Sequence, residues 1–340
     1  MDSQRVRTRM GLRGRGGGRG GLLYGSAALV VLVGVGGWQG LAGPADSGSM
    51  AAPVRAGGFQ GAAPFADRLS LPWPKDGQSS VEAVGLGGLG RTDGQRPVPI
   101  ASVTKVMTAY VILKGHPLRA DEQGPDITVD ATAANESFSG SESTVPLIEG
   151  RRFSQRRLLE LLLLPSGNNV ARLLARWDAG SEQAFVAKMN RAAAELGMDR
   201  TTYTGASGIE PTTRSTADDQ LKLARRAMEQ PALRSVVALR STTVPGVPGT
   251  VVNTNRLLEK PGVIGLKTGS STPAGGNLMW AVEVKAGAKR QLVLGVVLGQ
   301  RANTSPAEGM AAALDRSGEL IEAVQRQLPA ALGRPAQVRT

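Results

Sequence analysis

The spacing of apolar residues changes twice along this 340-residue chain, and that change limits the folds open to it more than any other feature. Between Ser102 and Lys114, Val103, Val106, Met107, Tyr110 and Val111 recur at i, i+3, i+4, i+7 and i+8, the signature of a helix with a buried face. Residues 158–164 form the apolar end of a second helix, stopped by Pro165, and residues 169–177 and 181–196 predict two more. On either side the period shortens to that of strands. Upstream, residues 80–85 and 96–100 read as two short strands around a Gly/Asp turn. Downstream, residues 263–268, 278–285 and 291–298 read as an antiparallel meander whose last turn is Ala286-Gly287-Ala288. A final helix over 306–327 carries Met310, Leu314, Leu320, Ile321, Val324 and Leu328 on roughly one side, to pack on the sheet. Strands at both ends with helices between predict an α+β domain: an antiparallel sheet completed by distant segments and flanked by helices, with a helical subdomain.

Composition narrows the chemistry. The chain has no Cys and a single His, His116, which excludes disulfide scaffolds, thiol catalysis, Cys-rich zinc sites and multi-His metal centres. No metal or cofactor is implied, and reactivity falls to Ser, Thr, Lys, Asp, Glu and backbone groups. Of the net charge of +12, residues 1–20 supply five through six Arg against Asp2. No charged residue lies between Arg19 and Asp46, and the apolar run over 22–41 is about 20 residues, roughly 30 Å as a helix, enough to cross a bilayer. A basic flank stays cytoplasmic, so the chain beyond the apolar run is exported. The predicted organisation is a basic cytoplasmic flank (1–20), a signal peptide or transmembrane anchor (21–43), a flexible linker (44–67), a folded domain (68–328) and a tail (329–340). The Arg/Gly run at 13–21 is of the kind found in RNA-binding tails, but the adjacent apolar run accounts for it, and no nucleic-acid partner is expected.

Three short motifs carry chemistry. Ser102-Val103-Thr104-Lys105 sets a hydroxyl and an amine one helical turn apart, so the amine can serve as base if burial and cationic neighbours lower its pKa. Ser166-Gly167-Asn168 lies in the break between two helices, and Lys267-Thr268-Gly269 ends a strand. With 23 Ser and 9 Lys, a Ser-x-x-Lys pair is expected about 0.6 times by chance, whereas the three motifs together in this order fall below about 1%.

This ordered trio resembles the penicillin-binding, active-site serine enzymes, which are known by such motifs. It is most similar to the low-molecular-mass D-alanyl-D-alanine carboxypeptidases of serine peptidase family S11, through residues 101–110, Leu164-Pro-Ser-Gly-Asn-Asn, Ala206-Ser-Gly-Ile, Asn253-Thr-Asn-Arg-Leu-Leu and Gly265-Leu-Lys-Thr-Gly, over about residues 68–328. The resemblance implies a β-lactamase/transpeptidase-like fold and a role for each matching position. Ser102 would attack the carbonyl between two D-alanines, with Lys105 as base. Ser166 would relay a proton to the leaving amine, helped by Lys267. Asn168 would hold the substrate peptide and help position Lys105. Lys267 and Thr268 of the Lys267-Thr268-Gly269 strand would bind the terminal carboxylate, and the Ser102 and Ser270 N–H groups would form the oxyanion hole. The implied partners are a peptidoglycan stem peptide ending in D-Ala-D-Ala and β-lactams as covalent inhibitors, with the membrane reached through the N-terminal segment. One position departs from the family pattern: Asn169 stands where Asp is usual, and a structural role is expected there.

Alternatives remain on the same fold. A D,D-endopeptidase shares the trio. So does a β-lactamase, although none of Glu182, Glu195, Glu210 and Glu229 has the Glu-x-x-Leu-Asn setting common in that branch. A non-catalytic wall-binding or scaffold protein would be signalled by loss of Ser102 or Lys105, and both are present. His116 reads as a helix-end residue, and Trp73, Trp177 and Trp280 as core or interface residues.

Overall fold

The structure is a computed structural model describing residues 61–333. In chain order its strands and helices are β1 (Gln78–Ala83), β2 (Gly87–Arg91), β3 (Val98–Pro99), α1 (Lys105–Gly115), β4 (Asp126–Thr128), α2 (Ala131–Glu136), β5 (Arg152–Ser154), α3 (Gln155–Leu163), α4 (Asn168–Ala179) and α5 (Glu182–Glu195). Next come β6 (Arg214–Ser215), α6 (Ala217–Glu229), α7 (Pro231–Val237), β7 (Ser241–Thr242), β8 (Val251–Val252), β9 (Val263–Ser271), β10 (Gly275–Ala286), β11 (Lys289–Gln300) and α8 (Pro306–Gly333).

Alternation along the long strands produces a sheet buried on both faces. Its order is β2-β1-β11-β10-β9, with the upstream hairpin joined to the downstream meander through antiparallel β1 and β11. On β10, Leu278, Trp280, Val282 and Val284 enter a core shared with Leu320, Ile321 and Val324 of α8. Met279 and Ala281 point the other way, into a core shared with α1, α3, α4, α6 and α7. The sheet is therefore the wall between two hydrophobic layers, and the predicted α+β class, with a sheet closed by distant segments, is what forms.

The helices start where local chemistry provides a cap. Asp130, Ser154, Ser181 and Thr216 each accept from the backbone N–H three residues on, opening α2, α3, α5 and α6. The helix expected to bury one face, α1, is enclosed on every side: Lys105 through Leu113 are all buried. Such burial makes α1 a rigid post running through the domain.

Several expectations need correction. The partner of β1 is β2 at Gly87–Arg91, while Val98–Pro99 pairs with Arg214–Ser215 of β6. The glycines of β2 hide it from propensity: Gly90 has φ +140, and a Cβ there would lie 2.5 Å from the Trp73 ring. The residues just before Lys105, Ala101–Thr104, form a 3-10 turn. Packing begins before Arg68, since Ala63 and Phe65 are buried against the α8 layer, and α8 continues to Gly333. Trp280 is fully buried, whereas Trp73 and Trp177 are partly buried against the two cores. His116 caps the end of α1, its ring tilted 38° against Trp177 at 4.1 Å between centroids, and lies 3.1 Å from Asp178. Among the described residues no helix is long and apolar enough to cross a membrane, and the segments expected at 1–20 and 21–43 lie outside them.

Candidate active site

The three motifs, far apart in the chain, converge where the 3-10 turn before α1, the α3–α4 break and the edge strand β9 meet. Ser102 sits in the turn, half-buried, after Ala101 at φ +45. Lys105 begins α1 and is fully buried. Its amine lies 2.9 Å from Ser102 Oγ, 2.5 Å from Asn168 Oδ1 and 2.7 Å from Ser207 O. Ser166 has φ +69, is 6% exposed, and its Oγ has no hydrogen-bond partner, so a buried hydroxyl is left available in the site.

Strand β9 closes the other wall. Lys267 is buried, and its amine donates to Thr268 O at 3.0 Å. Thr268 Oγ1 lies 2.5 Å from Thr254 Oγ1. A Cβ on Gly269 would stand 2.8 Å from both the Ser102 and Val103 nitrogens, so only glycine lets the strand approach the Ser102 turn this closely. Ser270 comes next, in register with Gly276, half-buried at the strand's end. All eight residues singled out from the sequence thus fall in this one region.

Electrostatics favour a neutral base. Burial, then the positive charges of Lys267 and Arg172, pull the Lys105 pKa well below the usual amine range, against smaller opposing effects of Glu142 and Glu210. Burial alone lowers Lys267 to about 7. The positive charge of Lys267 disfavours a proton on the Lys105 amine.

Other contributors carried no motif. Ser207 offers a backbone carbonyl. Thr108 Oγ1 donates to Ala206 O at 2.6 Å and so anchors that loop to α1. Glu142 accepts from Asn168 Nδ2 at 2.6 Å and from Arg172 at 2.7 Å. The sequence signal for the Ser207 loop is Ala206-Ser-Gly-Ile, whereas Glu142 and Arg172 carry none. Asn169 is fully buried and fixes the segment before the break: Oδ1 accepts from Val145 N at 3.0 Å, and Nδ2 donates to Val145 O at 2.8 Å and Ala133 O at 3.2 Å. Nδ2 also lies 3.2 Å from Ser137 Oγ, so the side chain ties α4 to the segment after α2.

Among known proteins, the profile of the D-alanyl-D-alanine carboxypeptidase family, peptidase S11, matches residues 89–302. Similar relatives include the D-alanyl-D-alanine carboxypeptidase DacB2 of Mycobacterium tuberculosis, 35% identical over 59% of this chain and 67% of the relative. Another is the D-alanyl-D-alanine carboxypeptidase of Streptomyces sp. (strain K15), 34% identical over 51% of this chain and 64% of the relative. A D-alanyl-D-alanine endopeptidase of Pseudomonas aeruginosa is 36% identical over 52% of this chain and 57% of its own length. The chain therefore spans about three fifths to two thirds of the length of these relatives. The crystal structure of the Streptomyces K15 DD-transpeptidase superposes with a TM-score of 0.66 at 28% identity, covering 75% of this chain and 98% of that one. Penicillin binding protein 6B of Escherichia coli gives 0.63 at 28% identity, covering 76% and 81%. Sheet, helical subdomain and converging motifs are those of one lineage, and the chain belongs to the D-alanyl-D-alanine carboxypeptidase family of serine peptidases, S11.

Proposed function

We propose that this chain is a serine-type D-Ala-D-Ala carboxypeptidase that removes the terminal D-alanine of peptidoglycan stem peptides through an acyl-enzyme, and that penicillins acylate the same serine. The observation that carries the reading is the fully buried Lys105 amine 2.9 Å from Ser102 Oγ. Burial and cationic neighbours lower the proton affinity of that amine, in the direction a general base requires.

The family resemblance implies the order of steps, and the Ser102–Lys105 contact supports the first of them. The Ser102 hydroxyl gives its proton to Lys105 as Oγ bonds to the carbonyl carbon of the penultimate D-alanine. The N–H groups of Ser102 and Ser270 face the negative charge that develops on the carbonyl oxygen. As the C–N bond breaks, the proton passes through the unpartnered Ser166 hydroxyl to the departing nitrogen, and free D-alanine leaves. Lys267 and Thr268 hold the leaving residue's carboxylate, while Asn168 holds the peptide. Water then adds to the acyl carbon and the proton returns to Ser102. We place this reaction outside the cytoplasm, at the cell wall, with residues 21–43 serving as export signal or anchor.

The test is intact-mass analysis of the chain with a penicillin, beside Ser102→Ala, paired with D-alanine release from a pentapeptide. An adduct of the whole drug on the wild type alone, together with D-alanine release, is the expected result. Hydrolysis of the drug without a lasting adduct would replace this reading with a β-lactamase, and cleavage of cross-linked dimers in preference to pentapeptide with an endopeptidase.

A further inference from the structure

We propose that Glu142, clamped by Arg172, is a positioning residue that fixes the side-chain amide of Asn168 and thereby aims the Lys105 lone pair at Ser102. The inference rests on the reading of Ser102 as nucleophile and Lys105 as base. A neutral lysine amine has two N–H bonds and one lone pair. Lys105 has three close partners, of which Asn168 Oδ1 at 2.5 Å and Ser207 O at 2.7 Å can only accept. They take the two hydrogens and leave the lone pair for the third partner, Ser102 Oγ at 2.9 Å.

That arrangement holds only while Asn168 presents its oxygen. Turned over, the amide would offer Nδ2–H to the amine and compete with the Ser102 hydroxyl for the lone pair. Nothing intrinsic to an amide selects one orientation, since its two ends have nearly the same shape. Glu142 selects it. An ionised carboxylate has no hydrogen to donate, so Asn168 must turn its NH2 toward Glu142 Oε2, 2.6 Å away. Glu142 is itself held by two Arg172 guanidinium contacts, at 2.7 and 3.2 Å, and Arg172 is held in turn by Glu136 at 3.0 Å. Burial pushes the Glu142 pKa up, but the Arg172 and Asn168 hydrogen bonds outweigh it and the net shift is downward. The lock thus stays ionised well into the acid range.

The charged groups acting on Lys105 come from four places: Lys267 on β9 and Arg172 on α4 lower its proton affinity, and Glu142 and Glu210 on two loops raise it. Orientation and charge can therefore be separated by substitution. The measurement is the second-order rate constant for penicillin acylation of the full chain against pH, by intact mass, for wild type, Ser102→Ala, Glu142→Ala, Glu142→Gln and Arg172→Gln, with circular dichroism as the fold control.

Glu142→Ala is expected to lower the plateau about 10- to 100-fold, since an unfixed base forfeits part of its general-base contribution. It is also expected to move the acidic midpoint to lower pH, by on the order of one unit, because a nearby negative charge is gone. Glu142→Gln keeps an acceptor for Asn168 Nδ2, so it recovers most of the plateau while keeping the lowered midpoint. Arg172→Gln moves the midpoint upward. A wild-type plateau in Glu142→Ala would overturn the proposal, as would a Glu142→Gln as slow as Glu142→Ala with an unmoved midpoint. If Glu142→Ala does not fold, Glu142→Leu, which fills the space without an acceptor for Asn168 Nδ2, takes its place, and a wild-type plateau there would overturn the proposal equally. Equal adducts on wild type and Ser102→Ala would instead bring down the nucleophile assignment, and this inference with it.

Discussion

Replacing Lys267 by Met should make the protein more stable near neutral pH while slowing its reaction. Lys267 is 1% exposed, donates one hydrogen bond to Thr268 O, and has no carboxylate partner among the described residues. Burial brings its pKa from 10.5 to about 7. Unfolding returns the amine to water, where it binds its proton more tightly. A lysine whose folded pKa is depressed therefore costs stability, fully below pH 7 and progressively less as pH rises toward 10.5. At about 1.4 kcal/mol per pKa unit the full cost is about 5 kcal/mol. Removing the amine also forfeits a hydrogen bond worth about 1 kcal/mol, leaving a net gain of about 4 kcal/mol at pH 6. By pH 9.5 the cost has dropped to about 1 kcal/mol, so the gain nearly vanishes. Reversible urea denaturation of wild type and Lys267→Met at both pH values reads this group together with the relief of its repulsion on Lys105, which adds to the gain in the same direction below neutral pH. A variant that is less stable than wild type at pH 6, or a gain that does not shrink with pH, would refute the account of Lys267 as a buried, unpaired cation.

Three further outcomes are expected from the same geometry. Lys267→Met should also raise the acidic midpoint of acylation, because relieving the repulsion on Lys105 lets that amine hold its proton to higher pH; penicillin acylation rates against pH measure this. Gly269→Ala should lower penicillin acylation by about 100-fold or more, since its Cβ would stand 2.8 Å from the Ser102 nitrogen, the group proposed for the oxyanion hole. Asn169→Asp should destabilise the fold by about 1–3 kcal/mol, because a carboxylate oxygen would replace the NH2 that now faces Val145 O and Ala133 O. Burial against those carbonyls would raise the Asp pKa, so this loss should be smaller at pH 4 than at pH 7, as read by thermal denaturation.

The parts of the fold that were legible in the sequence are those in which burial and periodicity agree. Strands β9, β10 and β11 and helices α3, α4 and α5 follow their apolar patterns. Strand β2 does not, because its pairing depends on glycines that let Trp73 close over the backbone. Helix α6 escaped for the opposite reason. Its first turn carries Asp218 and Asp219, which read as surface but are buried: Asp218 accepts from Ser80 at 2.5 Å and Arg91 at 2.6 Å, and Asp219 pairs with Lys222 at 3.0 Å. Polar residues paired across 127 and 138 positions of chain leave no local signal. The active site divides in the same way. Ser102 and Lys105 are legible because one helical turn relates them, and Lys267, Thr268 and Gly269 because one strand does. Glu142 acts through a loop, Arg172 through a salt bridge, and Ser207 through a carbonyl any residue would supply.

What the sequence could not disclose is that the site is built against the stability of its own fold. Two lysines are buried close enough to repel, Arg172 adds a third positive charge, and Ala101 and Ser166 hold left-handed backbone conformations that cost about 1–3 kcal/mol each. None of these arrangements would survive in a flexible loop, which would swing each amine into water. They persist because the nucleophile's turn is continuous with a helix enclosed on every side, and because β9 belongs to a sheet with a hydrophobic layer on each face. The same burial that supports the fold keeps water from the Lys105 amine, and so lowers its proton affinity. Activity and instability therefore have a common source in this enzyme. Substitutions that relax the region around Ser102 should stabilise the protein to the degree that they return Lys105 to its ordinary, protonated state.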